Sequence, residues 1–222
     1  MADKYSSMTE LFKNEVEGTD YEVITEDNDS KVLLTSIHGG GIEVGSTELV
    51  EAIRELGNYN IYEFKGLKSS NNSSLHVTST NYDAPQLLEL IKETDYAVSI
   101  HGASGEEPIC YMGGNDVKLR NAIWSALEDI GIKVQISPPN IIGENDDNIT
   151  NRTRKYKGVQ LELTTALRQS FFKNGDSRRF KRENKDNWTD IIKNMAKAIH
   201  DTVQESIKYD SNNVTTKYKV NL

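Results

Sequence analysis

The chain has 222 residues, enough to bury the core of one domain, with 36% hydrophobic and 27% charged residues. No stretch approaches the roughly 18 consecutive apolar residues of a membrane-spanning helix, so no membrane partner is expected. The formal net charge of -8 and the lack of a nucleic-acid motif argue against a nucleic-acid partner, and the single cysteine, Cys110, excludes an intrachain disulfide.

The opening MADKYSSMTELFKNE is polar and has no secretory h-region, so synthesis in the cytoplasm is expected. A short helix fits Met8 to Glu15. Tyr21 to Thr25 alternates as a strand does, and the Asp27-Asn-Asp-Ser30 turn predicts a hairpin with Lys31 to Ile37. Ser46 to Leu56 is an amphipathic helix with Leu49, Val50, Ile53 and Leu56 on one face and Ser46 as N-cap. Strands are expected at Asn60 to Phe64 and Leu75 to Ser79. A helix follows the proline after Asp83 and runs to Lys92. Tyr96 to Ile100 is a strand that ends at His101-Gly102, and Pro108 to Met112 is another. Asn115 to Ile130 is a helix stopped by Gly131. Lys133 to Ser137 and Gly158 to Leu163 are strands with a polar loop between them. The second carries Val159, Leu161 and Leu163 on one face and Gln160 and Glu162 on the other. Trp188 to Lys208 is the last helix. Strands alternating with helices predict a three-layer α/β/α fold around a mixed, mostly parallel sheet, without internal repeats. One catalytic domain over 1–207 and a polar tail over 208–222 are expected.

The stretch VLLTSIHGGGIEVG, residues 32–45, organises the rest. It is an apolar strand that runs into His38, three glycines and Glu43, and then into a helix. Strand ends of this kind carry the chemistry of α/β proteins. The glycines fit neither dinucleotide nor P-loop spacing. His101 repeats the logic at the end of a second strand. His38, Glu43 and His101 together offer the three protein ligands of a catalytic zinc site, with the fourth position left to water. Glu162 is placed to take a proton from that water and return it to a leaving amine. An anionic intermediate also calls for a cation, and Arg120, Arg152, Arg154 and Arg168 are available. His76 either contacts substrate or packs, and Tyr111 either donates a proton or packs. His200 reads as packing, and Glu106 and Glu107 as loop charges. Residues 150–185 carry eleven Lys and Arg against three Asp and Glu, on a chain that is otherwise acidic. A face that meets an anion is expected there.

Four motifs, IHGGGIEVGS (37–46), HVTST (76–80), SIHGASGEEPICYMGG (99–114) and NRTRKYKGVQLELTTALR (151–168), resemble the poly-γ-glutamate hydrolases of bacteriophages and their bacterial relatives. They cover most of residues 1 to about 206. The resemblance implies a zinc carboxypeptidase-like fold and one zinc ion per chain. It implies hydrolysis of γ-glutamyl amide bonds in poly-γ-glutamate, a capsule and biofilm polymer, outside the cell after host lysis. It places the zinc on His38, Glu43 and His101, makes Glu162 the general base, and puts Arg152 where an oxyanion needs a partner. His76, Arg120, Arg154 and Arg168 are then expected to contact substrate, and the enzyme is expected to be a monomer. The sequence departs from the carboxypeptidases in having four residues, not two, between His38 and Glu43, so their turn geometry does not transfer. The resemblance also gives the basic stretch a purpose as a cationic track for the polymer, which predicts activity that falls with salt. Two other readings compete. One is a metal-dependent deacylase or carboxypeptidase for a small acidic amide, and the other is a non-catalytic polyanion-binding module.

Overall fold

The computed structural model describes residues 3–219, with residues 213–219 given by backbone alone. The elements in order are α1 (Met8–Asn14), β1 (Tyr21–Glu26), β2 (Val32–Gly40), α2 (Ser46–Arg54), β3 (Asn60–Gly66), α3 (Pro85–Lys92), β4 (Tyr96–Ala103), β5 (Ile109–Gly113), α4 (Val117–Asp129), β6 (Lys133–Ile136), β7 (Val159–Thr164), α5 (Thr165–Ser170), α6 (Arg179–Arg182) and α7 (Asp190–Lys219). The strands form one seven-stranded sheet in the order β1-β3-β2-β4-β7-β5-β6. Pairing is parallel except between β1 and β3 and between β5 and β7. This is the expected mixed, mostly parallel α/β sheet.

Each face of the sheet has its own core. Leu49, Val50 and Ile53 of α2, Leu119, Ile123 and Leu127 of α4, and Ile192, Met195, Ile199 and Val203 of α7 cover Leu34, Val98, Ile100 and Leu161 on one side. Met8 and Leu11 of α1 and Leu87, Leu90 and Ile91 of α3 cover Leu33, Ile37, Tyr62, Phe64 and Ala97 on the other. β2 and β7 are buried at every position, as strands must be when helices cover both faces. No helix among the described residues is long and apolar enough to cross a membrane.

Four local expectations are corrected. β1 and β2 do not form a hairpin, because β3 lies between them. The turn after β1 instead arches over the start of β3, where the Asn60 side-chain oxygen accepts the amides of Asn28 and Ser30. β2 is buried at every position and takes the centre of the sheet, while β1 is only partly buried and takes an edge. Residues 75–79 are not a strand: they join two 3-10 turns, Asn72–Leu75 and Ser79–Asn81, and the Thr78 amide donates to Asp3 rather than to a ladder. The α2 N-cap is Gly45, at φ 103°, and its amide is taken by the Glu48 carboxylate, while the Ser46 hydroxyl donates to the Glu43 carbonyl. Finally, α7 does not stop at Lys208. It runs to Lys219, with Asp210 accepting from Tyr96 and Lys118, so the tail expected from 208 is helix through 219, and 220–222 lie outside the described residues.

Candidate metal centre

The site begins with an irregularity in β2. Ser36 pairs with Glu63 and Gly39 with Lys65, so Ile37 and His38 together stand against one residue of β3. Such a bulge re-aims a side chain, and here the side chain is His38. The chain then turns sharply. Gly40 has φ 63°, and a Cβ there would lie 2.6 Å from the Gly66 carbonyl oxygen, so the turn requires glycine. The Glu43 amide closes the loop on the His38 carbonyl at 2.9 Å. The inserted glycines therefore bring Glu43 back to the histidine it follows.

His38, Glu43 and His101 converge. The Nδ1 atoms of His38 and His101 are 3.2 Å apart, His38 Nδ1 is 3.4 Å from Glu43 Oε1, and His101 Nδ1 is 3.8 Å from Glu43 Oε2. Ligands at zinc bond lengths in a tetrahedral arrangement stand roughly 3.3 Å apart, so the triangle has the right size. The protons are consistent with this. His38 Nε2 is 2.9 Å from the Val77 carbonyl, which can only accept, so Nε2 carries the hydrogen and the neutral ring turns a lone pair at Nδ1 toward the centre. His101 Nε2 bonds the Ser99 hydroxyl at 2.8 Å, and with that hydroxyl as the acceptor the His101 Nδ1 presents its lone pair in the same way. Two lone pairs and a carboxylate facing each other are a poor arrangement alone and a good one around a cation.

Electrostatics agree. Burial, and then the neighbouring His38, push His101 down to about 3, so its ring is neutral. Burial works to raise Glu43, but His38, His101 and the Gly102 amide outweigh it and hold the carboxyl at about 2. Burial opposes charge on His38 too, but Glu43 overcomes it and raises that ring's pKa, so without a cation the carboxylate draws a proton to the His38 Nδ1 that a bound metal would displace.

Glu162 stands opposite His101 across the β4–β7 pairing and opposite Tyr111 across β7–β5, so the three share one row of the sheet. Gln160, two residues earlier on the same face, donates to Glu162 Oε1 at 2.8 Å. Burial, with the Glu43 charge added, raises the Glu162 pKa well above the usual carboxylate range, against the pull of Gln160 and Arg168. An open cleft of about 740 Å³ contains these groups. His76, Thr78, Ser79 and Thr80 line one wall, Gly102 to Ser104 and Tyr111 line its base, and residues 138–145 line the other wall.

His76 also reaches the cleft, and its ring stacks on His38 with centroids 3.9 Å apart. His38, Glu43 and His76 each place a ligand atom within 4.8 Å of the others. His76 is therefore a rival third ligand to His101, although its Nδ1 is already bonded to Asp3 at 2.6 Å. The Asp3 contact joins residues far apart in sequence, and no local pattern announced it.

None of the four arginines lines the cleft. Arg152 donates to the Asp147 carbonyl and borders a separate hollow with Asp146, Asn151 and Tyr156, so the structure does not bring it to the centre. Arg154 pairs with Asp95. Arg120 pairs with Glu144 on the cleft wall and with the Gly114 carbonyl. Arg168 lies behind the centre and spends its donors on backbone carbonyls. The basic stretch as a whole is largely committed elsewhere. Lys157 pairs with Asp116, Arg178 with Asp176, Arg179 with Glu183, Arg182 with Glu48 and Lys185 with Glu55. Among the described residues no Lys or Arg lines the cleft, and these charges pair instead with the protein's own acidic groups. His200 packs against Tyr59.

Comparison with known proteins places this geometry in context. The profile of the family described as poly-gamma-glutamate hydrolase matches residues 5–196. The chain is 38% identical over 173 residues to the SPbeta prophage-derived UPF0714 protein YoqZ of Bacillus subtilis, covering 77% of this chain and 62% of that protein. It is 40% identical to UPF0714 protein YmaC of the same organism, covering 77% of this chain and 72% of the relative. The chain thus spans less than two thirds of the length of the first of these relatives. Among solved structures, a bacteriophage poly-gamma-glutamate hydrolase superposes with a TM-score of 0.90 at 35% identity, over 94% of this chain and 100% of the other. A zinc-free apo form of YndL superposes with a TM-score of 0.81 at 31% identity, over 92% and 99%.

Proposed function

This chain belongs to the poly-γ-glutamate hydrolase family, and from that premise we propose that it cleaves γ-glutamyl amide bonds of poly-γ-glutamate, with one zinc ion held by His38, Glu43 and His101. The observation that carries the reading is the convergence of two imidazole Nδ1 atoms on the two oxygens of the Glu43 carboxylate, at separations of 3.2 to 3.8 Å, in an open cleft that Glu162 also lines. That a related structure is described as zinc-free supports zinc as the metal.

A zinc ion bound there supplies the charge that favours the Glu162 carboxylate, polarises the scissile carbonyl and acidifies a water. The chain's own groups do the rest. Glu162 accepts a proton from the attacking water as its oxygen bonds to the amide carbon, and delivers that proton to the leaving nitrogen as the C–N bond breaks. Gln160 fixes the Glu162 carboxyl through Oε1. Val77 holds the His38 imidazole in the tautomer that presents Nδ1, and the Ser99 hydroxyl fixes the orientation of the His101 ring through Nε2. No Lys or Arg among the described residues lines the cleft, so the substrate's carboxylates meet neutral donors such as Ser79, Thr80, Ser104 and Asn140. Arg152, which does not line the cleft, gains no support for the oxyanion role, and neither does a polyanion-binding module.

The prophage-derived and bacteriophage relatives support a setting in which the enzyme is made in a host cytoplasm and meets its polymer after lysis. The test is polymer chain length after incubation, followed beside release of free glutamate. Shortening of the polymer supports the reading. Turnover of small acidic amides alone moves the assignment to a deacylase.

A further inference from the structure

Arg168 is the feature that the proposed mechanism leaves unexplained. It sits in the short helix α5 just after β7, and its side chain turns back under the strand ends. Its Nε donates to the Leu163 carbonyl at 2.9 Å, Nη1 to the Val44 carbonyl at 2.6 Å and Nη2 to the Ala103 carbonyl at 3.2 Å. Those carbonyls belong to three separate segments. Leu163 follows Glu162, Val44 follows Glu43, and Ala103 is two residues past His101. One side chain therefore ties together the segments that carry the base and two of the three ligands.

The room for it is made by glycines. A Cβ on Gly102 would lie 2.7 Å from the Arg168 Cζ, and one on Gly45 would lie 2.9 Å from the Arg168 Cβ. Gly102 directly follows His101, and its amide donates to Glu43 Oε2 at 2.8 Å, so the guanidinium packs on the backbone that also orients the carboxylate ligand. Among the described residues Arg168 has no ion-pair partner within 4 Å, yet its charge is felt by both Glu43 and Glu162. A planar fork of donors can satisfy three divergent carbonyls, whereas a lysine ammonium is a single point on a flexible stem.

We propose that Arg168 is the positioning residue of this centre, a guanidinium that sets the separation of Glu43, His101 and Glu162 and places a positive charge behind them. The inference rests on the zinc-hydrolase reading above and assigns Arg168 no contact with substrate.

The test uses the full chain and the variants Arg168→Ala, Arg168→Gln and Arg168→Lys. Apo-protein is titrated with zinc against a competing chromophoric chelator, and kcat and KM are measured on poly-γ-glutamate. Methylguanidinium is then added to Arg168→Ala, with sodium chloride as the ionic control. The expected result is zinc binding weakened about 10- to 100-fold in all three variants, the range for groups that orient ligands. A fall in kcat with little change in KM, and partial rescue of Arg168→Ala by methylguanidinium and not by sodium chloride, are expected with it. Should Arg168→Ala not fold, Arg168→Gln and Arg168→Lys carry the same comparison. Folded variants that bind zinc as tightly as the parent and keep its kcat overturn the proposal and leave the zinc site standing. A raised KM at unchanged kcat overturns it in favour of substrate contact. A parent protein that binds no zinc overturns both readings.

Discussion

Glu63 and Glu162 occupy similar local settings and end in different roles. Each lies in a strand between apolar neighbours, YEF in β3 and LEL in β7, and each is buried, at 0% and 6% exposure. Each takes one side-chain hydrogen bond, Glu63 from Ser36 at 2.9 Å and Glu162 from Gln160 at 2.8 Å. Burial raises both carboxyls, Glu63 to about 7 and Glu162 well above its ordinary range. What differs is the surroundings. Glu63 faces Ser36 and Thr47 under α2, and among the described residues its Oε1 meets no donor at hydrogen-bond geometry. Glu162 looks into a cleft that three imidazoles and the Glu43 carboxylate also line. A buried acid is thus a cost in one place and a tool in the other, and the neighbours across the strands decide which.

The largest break in that comparison is expected from the catalytic side. Glu162→Gln keeps shape and removes the proton carrier, so kcat should fall about 10²- to 10⁴-fold while zinc content is unchanged. Loss of zinc together with activity would instead make Glu162 a ligand. Next, Glu43→Gln should abolish stable zinc retention through dialysis, since the triangle loses its anionic ligand. Retention at one ion per chain would move the third ligand to His76.

The structural side breaks differently. The Glu63 pKa is raised from 4.5 to about 7, so the folded state favours its neutral form. Its stabilising effect is complete below about pH 4.5 and is lost as pH rises through about 7, a difference of about 3 kcal/mol between the two limits. Glu63→Gln should therefore gain about 1–3 kcal/mol in urea unfolding at pH 8 and nothing near pH 4, with kcat hardly changed. Equal gains at both pH values would show that the carboxyl does not titrate in this range.

The smallest expected effect is that of salt. With no Lys or Arg among the described residues lining the cleft, kcat/KM on the polymer should change less than about threefold between 0.05 and 0.5 M salt. A steep fall would restore a cationic track.

How much of this was legible in the sequence follows from the range of each interaction. The alternation of β7 put Gln160 and Glu162 on one face before any coordinates existed, and the two side chains do touch. The apolar strands ending in His38 and His101 likewise come together, since parallel neighbours bring their C-terminal ends to one edge. The hairpin of β1 and β2 failed because strand order is set by non-local burial and not by the turn between them. The basic stretch looked like a ligand face because sequence counts charges without their partners, and here Asp95, Asp116, Glu48 and Glu55 come from distant elements. Asp3 on His76 and Arg168 on three carbonyls were invisible for the same reason.

The most direct test of the central claim is the metal content of the purified protein, measured with the viscosity of a poly-γ-glutamate solution before chelation, after chelation and after zinc is returned. The account predicts one zinc per chain, loss of viscosity decline on chelation and its return with zinc. A metal-free protein that still thins the polymer would contradict the His38, Glu43, His101 centre outright.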